Sequence, residues 1–217
     1  AIDREESAGK VPKEQWYNLA RFIHFDRDNF REALNVLELL IMYYPKKQYW
    51  VQASHLYGEE KDEARQLALL EATYEQNLLD RSQDIVLISQ LYLQAEVPYP
   101  AARAMEKGLA DDIVEKESKN YELAGVAWRQ AQEVTKSLPM LEAAASKSEK
   151  GELYARLGNV YLDVDKNKEA VEALKRGLDR GGVKRPDQAR LALGMAYFNL
   201  GDFNAARRAF REARKDK

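Results

Sequence analysis

The side chains that most often perform acid–base or metal chemistry are scarce in this 217-residue chain. It contains two histidines, His24 and His55, and no cysteine, which removes thiolate nucleophiles, disulfides and cysteine zinc ligands together. Gly181-Gly182 follows no predicted strand, so it does not predict a phosphate-binding loop. Acidic pairs such as Asp111-Asp112 are typical of connections between helices, and no Ser–His–Asp arrangement can be argued. We therefore predict a protein that is not an enzyme and that uses no metal and no cofactor.

The composition narrows the class of partner. Apolar residues make up 45% and charged residues 32% of the chain, which is enough apolar surface for a packed core and too much for a disordered protein. Lys and Arg number 34 against 36 for Asp and Glu. This balance argues against nucleic acid as a partner, because neutralising phosphates needs a basic face. No stretch approaches about 18 apolar residues, so we expect no insertion into a membrane.

An aromatic residue or a histidine recurs along the whole chain at intervals of 33 to 36 residues, and a large apolar residue follows it thirteen residues later each time. A fixed period of this length is typical of solenoid proteins. The first series consists of His24, Tyr57, Tyr92, Trp128, Tyr161 and Tyr197, and the second of Leu37, Leu70, Met105, Leu141, Leu174 and Phe210. We interpret both series as core positions.

Each period contains two stretches with helical apolar spacing, which predicts a helix A, a tight turn and a helix B. In the last period, Gly201 is expected to end helix A in the left-handed conformation and Asp202 to start helix B. We predict a remnant of a preceding helix over residues 1–13, an array over 14–217, and a longer natural protein around them. The predicted repeats lie near residues 14–46, 47–81, 82–117, 118–150, 151–186 and 187–217.

The repeat resembles the tetratricopeptide repeat, whose pattern combines small residues where two helices approach with large residues between helix pairs. The sixth period carries Leu193, Gly194, Tyr197, Ala206, Phe210 and Ala213, and the fifth carries Tyr154, Leu157, Gly158, Tyr161, Ala170 and Leu174. The first period departs from the pattern with Arg21 at the glycine position and His24 at the tyrosine position. The resemblance implies an all-α, right-handed superhelical solenoid of about six helix-turn-helix repeats that binds other proteins.

Three segments resemble one tetratricopeptide group in particular. They are residues 40–50, 101–109 and 184–189. The group comprises the gammaproteobacterial proteins that are encoded beside TonB–ExbB–ExbD energy-transduction systems. This resemblance implies an exported, periplasmic protein with further repeats on its N-terminal side. It also implies TonB-, ExbB- or ExbD-type components as partners, and a monomer or weak oligomer.

In tetratricopeptide stacks the face of helix A opposite helix B lines a concave groove. The resemblance places mostly amide, charged and mildly apolar side chains there, which suits an extended segment or a helix of a partner. Recognition of a chaperone tail is not expected, because Ala155 stands four residues before Asn159, where a lysine is required. The predicted groove residues are Gln15, Asn18, Phe22, Gln48, Val51, His55, Gln83, Gln90, Gln94, Lys119, Glu122, Arg129, Asn159, Asp163, Gln188, Met195 and Asn199.

Several functions stay open at this point. The leading hypothesis is a non-enzymatic scaffold of the bacterial envelope that assists TonB-dependent transport by binding a partner segment in the groove. The alternative is a cytosolic adaptor of the same fold for peptide binding or complex assembly. A third hypothesis is glycan binding with Trp16 and Trp50 as stacking platforms. The groove face could also be simply solvated.

Overall fold

The computed structural model describes residues 2–215, and every regular element in that range is an α-helix. The ends predicted for the domain organisation, residues 1 and 217, lie outside the described residues. The helices are α1 (Ile2–Ser7), α2 (Glu14–Asp26), α3 (Phe30–Tyr43), α4 (Lys47–Glu59), α5 (Glu63–Glu75), α6 (Ser82–Gln94), α7 (Pro98–Ala110), α8 (Ser118–Gln130), α9 (Val134–Lys147), α10 (Glu152–Asp163), α11 (Asn167–Arg180), α12 (Pro186–Asn199) and α13 (Phe203–Ala213). Over residues 2–215, no helix has both the length and the apolar character needed to cross a membrane.

The chain divides into two compact units, Ala1–Leu91 and Tyr92–Lys217, and the division falls within α6. In the first unit α2 packs against α3, α4 packs against α5, and α3 also contacts α4. In the second unit the packed pairs are α8 with α9, α10 with α11 and α12 with α13, and α7, α9 and α11 each contact the helix that follows. The predicted all-α class and the helix-turn-helix repeat are confirmed. From here on, α2, α4, α6, α8, α10 and α12 are called helices A and their successors helices B.

The turn between each helix A and its helix B contains one residue in the left-handed conformation. The φ angles are 55° at Asp28, 62° at Lys61, 60° at Glu96, 63° at Gln132, 57° at Asp165 and 79° at Gly201. At the last turn Gly201 N donates to Phe198 O at 3.0 Å, and Asp202 N donates to Tyr197 O at 3.0 Å, so the end of α12 is hydrogen-bonded. Asp202 Oδ1 accepts from Ala205 N at 2.9 Å. Both predictions for this turn are confirmed.

Most members of the two periodic series lie in the core. Leu37, Tyr57, Leu70, Tyr92, Met105, Trp128, Leu141, Tyr161 and Leu174 are buried. His24 and Tyr197 are only half-buried. Phe210 is 37% exposed, so its assignment to the core is wrong for part of the ring. Helices approach closely at small residues, as at Gly158, where a Cβ atom would lie 2.5 Å from Leu174 Cγ.

Candidate functional site

An apolar pocket of about 340 Å³ is formed by α8, α9 and α10 of the second unit. Its residues are Glu122, Val126, Arg129, Leu141, Leu153, Arg156 and Val160; together they are called the helix-A pocket. Leu141 and Val160 are buried and close the floor, whereas Val126 and Leu153 are half-buried and present part of their surface to the opening. The pocket therefore offers apolar contact area to a side chain of another molecule.

Helical spacing explains why these residues share one pocket. Glu122, Val126 and Arg129 follow one another at four and three residues along α8, which places them on one face of that helix. The opposite face of α8 carries the fully buried Ala124 and Trp128, which fix the helix in the core. The exposed face of α8 is thus left with a valine between two charged residues.

The rim of the helix-A pocket consists of ion pairs between successive helices A. Arg129 Nη2 donates to Asp163 Oδ2 at 2.8 Å, and Arg156 Nη1 donates to Glu122 Oε1 at 2.7 Å. Arg156 Nε also donates to Glu152 Oε1 at 3.2 Å. Ion pairs at a surface stabilise a protein by only about 0–1 kcal/mol. The rim is therefore ordered in the free protein, and its most exposed pair, Arg129–Asp163, is inexpensive to rearrange when a ligand binds.

The arginines and the carboxylates of the rim are not equally accessible to solvent. The side chains of Arg129 and Arg156 are 50% and 49% exposed, whereas those of Glu122 and Glu152 are 31% and 22% exposed. Glu122 and Glu152 therefore lie deeper than the guanidinium group of Arg156, which both of them bind. Asp163 is 52% exposed, which makes it the most accessible carboxylate of the set.

A second pocket, of about 300 Å³, lies on the helix-B side of the same unit and includes Glu142, Tyr161, Glu169 and Glu172. The Tyr161 hydroxyl donates a hydrogen bond to Glu142 Oε1. Burial, this hydrogen bond and the charges of the surrounding carboxylates raise the pKa of Tyr161, so the phenol is neutral at physiological pH. A neutral, hydrogen-bonded phenol is a packing group and is not poised as a nucleophile or base. Among residues 2–215, no group of three His, Asp or Glu side chains is placed to hold a metal ion.

The structure brings together three of the residues predicted for the groove of the second unit, namely Glu122, Arg129 and Asp163. The others are spread over the exposed helix-A surface. Lys119 pairs with Glu117 at 2.8 Å, and Asn199 Nδ2 donates to Asn167 Oδ1 at 2.9 Å. Gln94, Asn159, Gln188 and Met195 are exposed as well.

In the first unit, most of the predicted groove residues are exposed, and two differ. The exposed ones are Gln15, Phe22, Gln48, His55, Gln83 and Gln90. Asn18 is half-buried and donates from Nδ2 to Tyr49 Oη at 2.8 Å. The prediction for Val51 is wrong, because its side chain is 3% exposed. Val51 stands two residues after the buried Tyr49, at the position of the repeat that the buried Ala155 holds in α10, so it belongs to the packed face of its helix.

Five residues of the helix-A pocket are not in the set of groove residues predicted from the sequence: Val126, Leu141, Leu153, Arg156 and Val160. One signal could have identified Arg156. It follows Glu122 by 34 residues, and Asp163 follows Arg129 by the same interval. Opposite charges one repeat apart face each other on neighbouring helices A, so a search at the repeat distance finds both pairs.

Comparisons with known proteins are consistent with this architecture. The family model of the tetratricopeptide repeat matches residues 151–180 and 187–213. A crystal structure of MamA superimposes with a TM-score of 0.60 at 17% identity, covering 75% of this chain and 92% of that one. The structures named MamA AMB-1 and MamA MSR-1 superimpose with TM-scores of 0.62 and 0.60 at 19% and 18% identity. Each covers 78% of this chain, with 90% and 95% of their own lengths aligned.

The search of curated proteins finds no match, and the resemblance to the TonB-associated group stays a prediction. At these identities the structural likeness concerns the fold alone. The last two helix pairs match the tetratricopeptide repeat in sequence, and the chain shares the fold of the MamA structures.

Proposed function

We propose that this protein is a non-enzymatic interaction scaffold whose helix-A pocket receives an apolar side chain from a segment of a partner protein. The observation that carries the proposal is the pocket itself, with an apolar floor, a charged rim and a volume of about 340 Å³. Pockets for small molecules span about 300–1,000 Å³. The helix-A pocket lies at the lower end of that range, which suits the anchoring side chain of a longer segment.

The neighbouring helix A of the second unit supports the proposal. Leu191, Met195 and Phe198 follow one another at four and three residues on α12 and are 49%, 51% and 57% exposed. This spacing places the three side chains on one face of the helix. Because α10 contacts α12, this apolar face lies beside the helix that supplies Leu153 to the pocket. A bound segment would find further apolar contacts there after its anchor has entered the pocket.

Selection from a random dodecapeptide library displayed on phage tests the proposal. Val126→Arg places a long cation in the mouth of the pocket, and Val97→Arg is the matched control at a valine that is 42% exposed before α7. We expect peptides with a large apolar residue to be enriched on the wild type and on Val97→Arg, and not on Val126→Arg. Equal enrichment on all three proteins, or none on the wild type, would contradict the proposal.

We further propose that the partner belongs to a TonB–ExbB–ExbD type system and that the protein acts in the periplasm. The support is the resemblance of residues 40–50, 101–109 and 184–189 to the proteins encoded with such systems. Co-purification of the natural full-length protein with the periplasmic part of TonB or ExbD tests this, with Val126→Arg as the variant that should lose the complex. A cytosolic location in cell fractionation would favour the alternative, a cytosolic adaptor.

A further inference from the structure

We infer that the segment bound by the helix-A pocket carries a carboxylate beside its apolar anchor and that Arg129 recognises it. This inference rests on the proposed function and specifies the chemistry of the partner at the same pocket. It concerns one side chain of the rim, and it follows from how differently the two arginines of the rim are held.

Arg156 is fixed by the protein. Its guanidinium group binds Glu122 and Glu152, and Glu152 Oε2 also accepts from Lys184 N at 2.8 Å. Both carboxylates are mostly covered. A ligand that displaced either of them would leave a partly buried charge without a partner, which is costly. Arg156 is therefore a structural member of the rim.

Arg129 is held loosely by comparison. In the part of the chain that the structure describes, its ion pair is with Asp163, through Nη2 only, and both side chains are about half exposed. A guanidinium group has five N–H donors in a planar fork that matches a carboxylate in two parallel hydrogen bonds. The hydrogen bond to Asp163 therefore leaves other N–H donors of Arg129 available, and a carboxylate from a partner can take the place of Asp163.

The position of Arg129 links this charge to the apolar anchor. It lies three residues after Val126 on the same face of α8, so its guanidinium group stands about one turn from the mouth of the pocket. The acidic groups that face it are Asp163 and Glu122, and Glu122 is already paired with Arg156. Of the pair Arg129–Asp163, only Arg129 lines the pocket, so the charge of this pair that borders the anchor is positive, which favours an acidic neighbour and disfavours a basic one.

Peptides selected on the wild type provide the probe. Each is synthesised with both ends blocked, then with its acidic residues replaced by the corresponding amides, and separately with a free C-terminus. Fluorescence anisotropy measures binding to the wild type, Arg129→Gln, Arg129→Lys and Asp163→Asn. Arg103→Gln, at an exposed arginine on α7, is the matched control. Blocked and free C-termini distinguish a side-chain carboxylate from the terminal one, which has the same chemistry.

We expect the selected peptides to carry Asp or Glu within two residues of the apolar anchor. Arg129→Gln should weaken the acidic peptide about three- to tenfold and leave the amide peptide unchanged. Arg129→Lys should restore part of the loss, and Asp163→Asn should tighten binding because it removes the internal competitor. The preference for the acidic peptide should diminish at high salt.

Two results would overturn the inference in different ways. Enriched peptides that bind equally well as acids and amides, or that carry Lys or Arg beside the anchor, would refute the carboxylate and leave the proposed function standing. Peptides that bind Val126→Arg as well as the wild type would refute the pocket as the binding site, and the inference would fail with it.

Discussion

One position of the repeat is filled by a buried side chain in the first unit and is left partly open in the second. Tyr49 in α4 and Leu153 in α10 hold equivalent positions of the repeat, because each stands eight residues before a tyrosine of the periodic series, Tyr57 and Tyr161 respectively. Tyr49 is fully buried, whereas Leu153 is half-buried at the mouth of the helix-A pocket. In the first unit Tyr49 fills this position and is called the plug, whereas in the second unit the position borders the helix-A pocket.

Polar contacts hold the plug in the first unit. Tyr49 Oη donates to Glu14 Oε1 at 2.6 Å and accepts from Asn18 Nδ2 at 2.8 Å. The guanidinium group of Arg21 lies 5.9 Å from the centre of the Tyr49 ring and also binds Gln52. A helix-A surface is therefore not a binding site merely because the repeat places it there. The residue at the position of Tyr49 or Leu153 decides whether space is left for a ligand.

The largest expected effect is on stability, when the plug is removed. Tyr49→Ala should lower the free energy of unfolding by about 3–5 kcal/mol, because it truncates a fully buried aromatic side chain. Leu153→Ala should lower it by about 1 kcal/mol, since that side chain is already half-exposed at a pocket. Urea unfolding followed by circular dichroism measures both. Similar losses for the two variants would show that the two positions do not differ as the structure indicates.

A smaller effect, of opposite sign, is expected in the turns of both units. Lys61 and Gln132 have φ angles of 62° and 63°, and Gly201 occupies the corresponding place in the last turn with 79°. A side chain in this conformation costs roughly 1 kcal/mol relative to glycine. Lys61→Gly and Gln132→Gly should each stabilise the protein by about 1 kcal/mol in the same unfolding experiment. Gly201→Ala, the reverse change, should destabilise it by a similar amount.

The smallest expected effect is on the pH dependence of stability, and it concerns the hydrogen bonds of the plug in the first unit. The hydrogen bond from Lys46, together with that from Tyr49, holds the pKa of Glu14 below its ordinary value of 4.5. A carboxylate with a lowered pKa contributes stability that is fully present above its unfolded pKa and is lost as the pH falls through its folded pKa. Glu14→Gln should therefore be less stable than the wild type at pH 7, and the difference should shrink as the pH falls below 4.5.

Equal slopes of stability against pH for the wild type and Glu14→Gln would mean that the hydrogen bonds of Glu14 do not contribute to the plug.

The periodic series of aromatic residues was sufficient to predict the all-α repeat fold, because each member fills the same space between helices. The surface was harder to predict. Val51 was assigned to the groove by its helical spacing from Gln48 and His55, although it holds the position of the repeat that the buried Ala155 holds in α10. Arg156 was missed because its role depends on Glu122, which is remote in sequence and adjacent in space. The pocket itself depends on the size of one side chain relative to its neighbours, and side-chain packing is not encoded in the repeat period.

The most direct test of the helix-A pocket is to rebuild the plug of the first unit in the second. Leu153→Tyr places a tyrosine where Tyr49 stands in α4, and circular dichroism and urea unfolding verify that the variant is folded. Its affinity for a peptide selected on the wild type is then measured by fluorescence anisotropy. The helix-A pocket predicts that Leu153→Tyr binds at least about tenfold more weakly than the wild type. Unchanged affinity in a folded Leu153→Tyr variant would contradict the assignment of the pocket as the binding site.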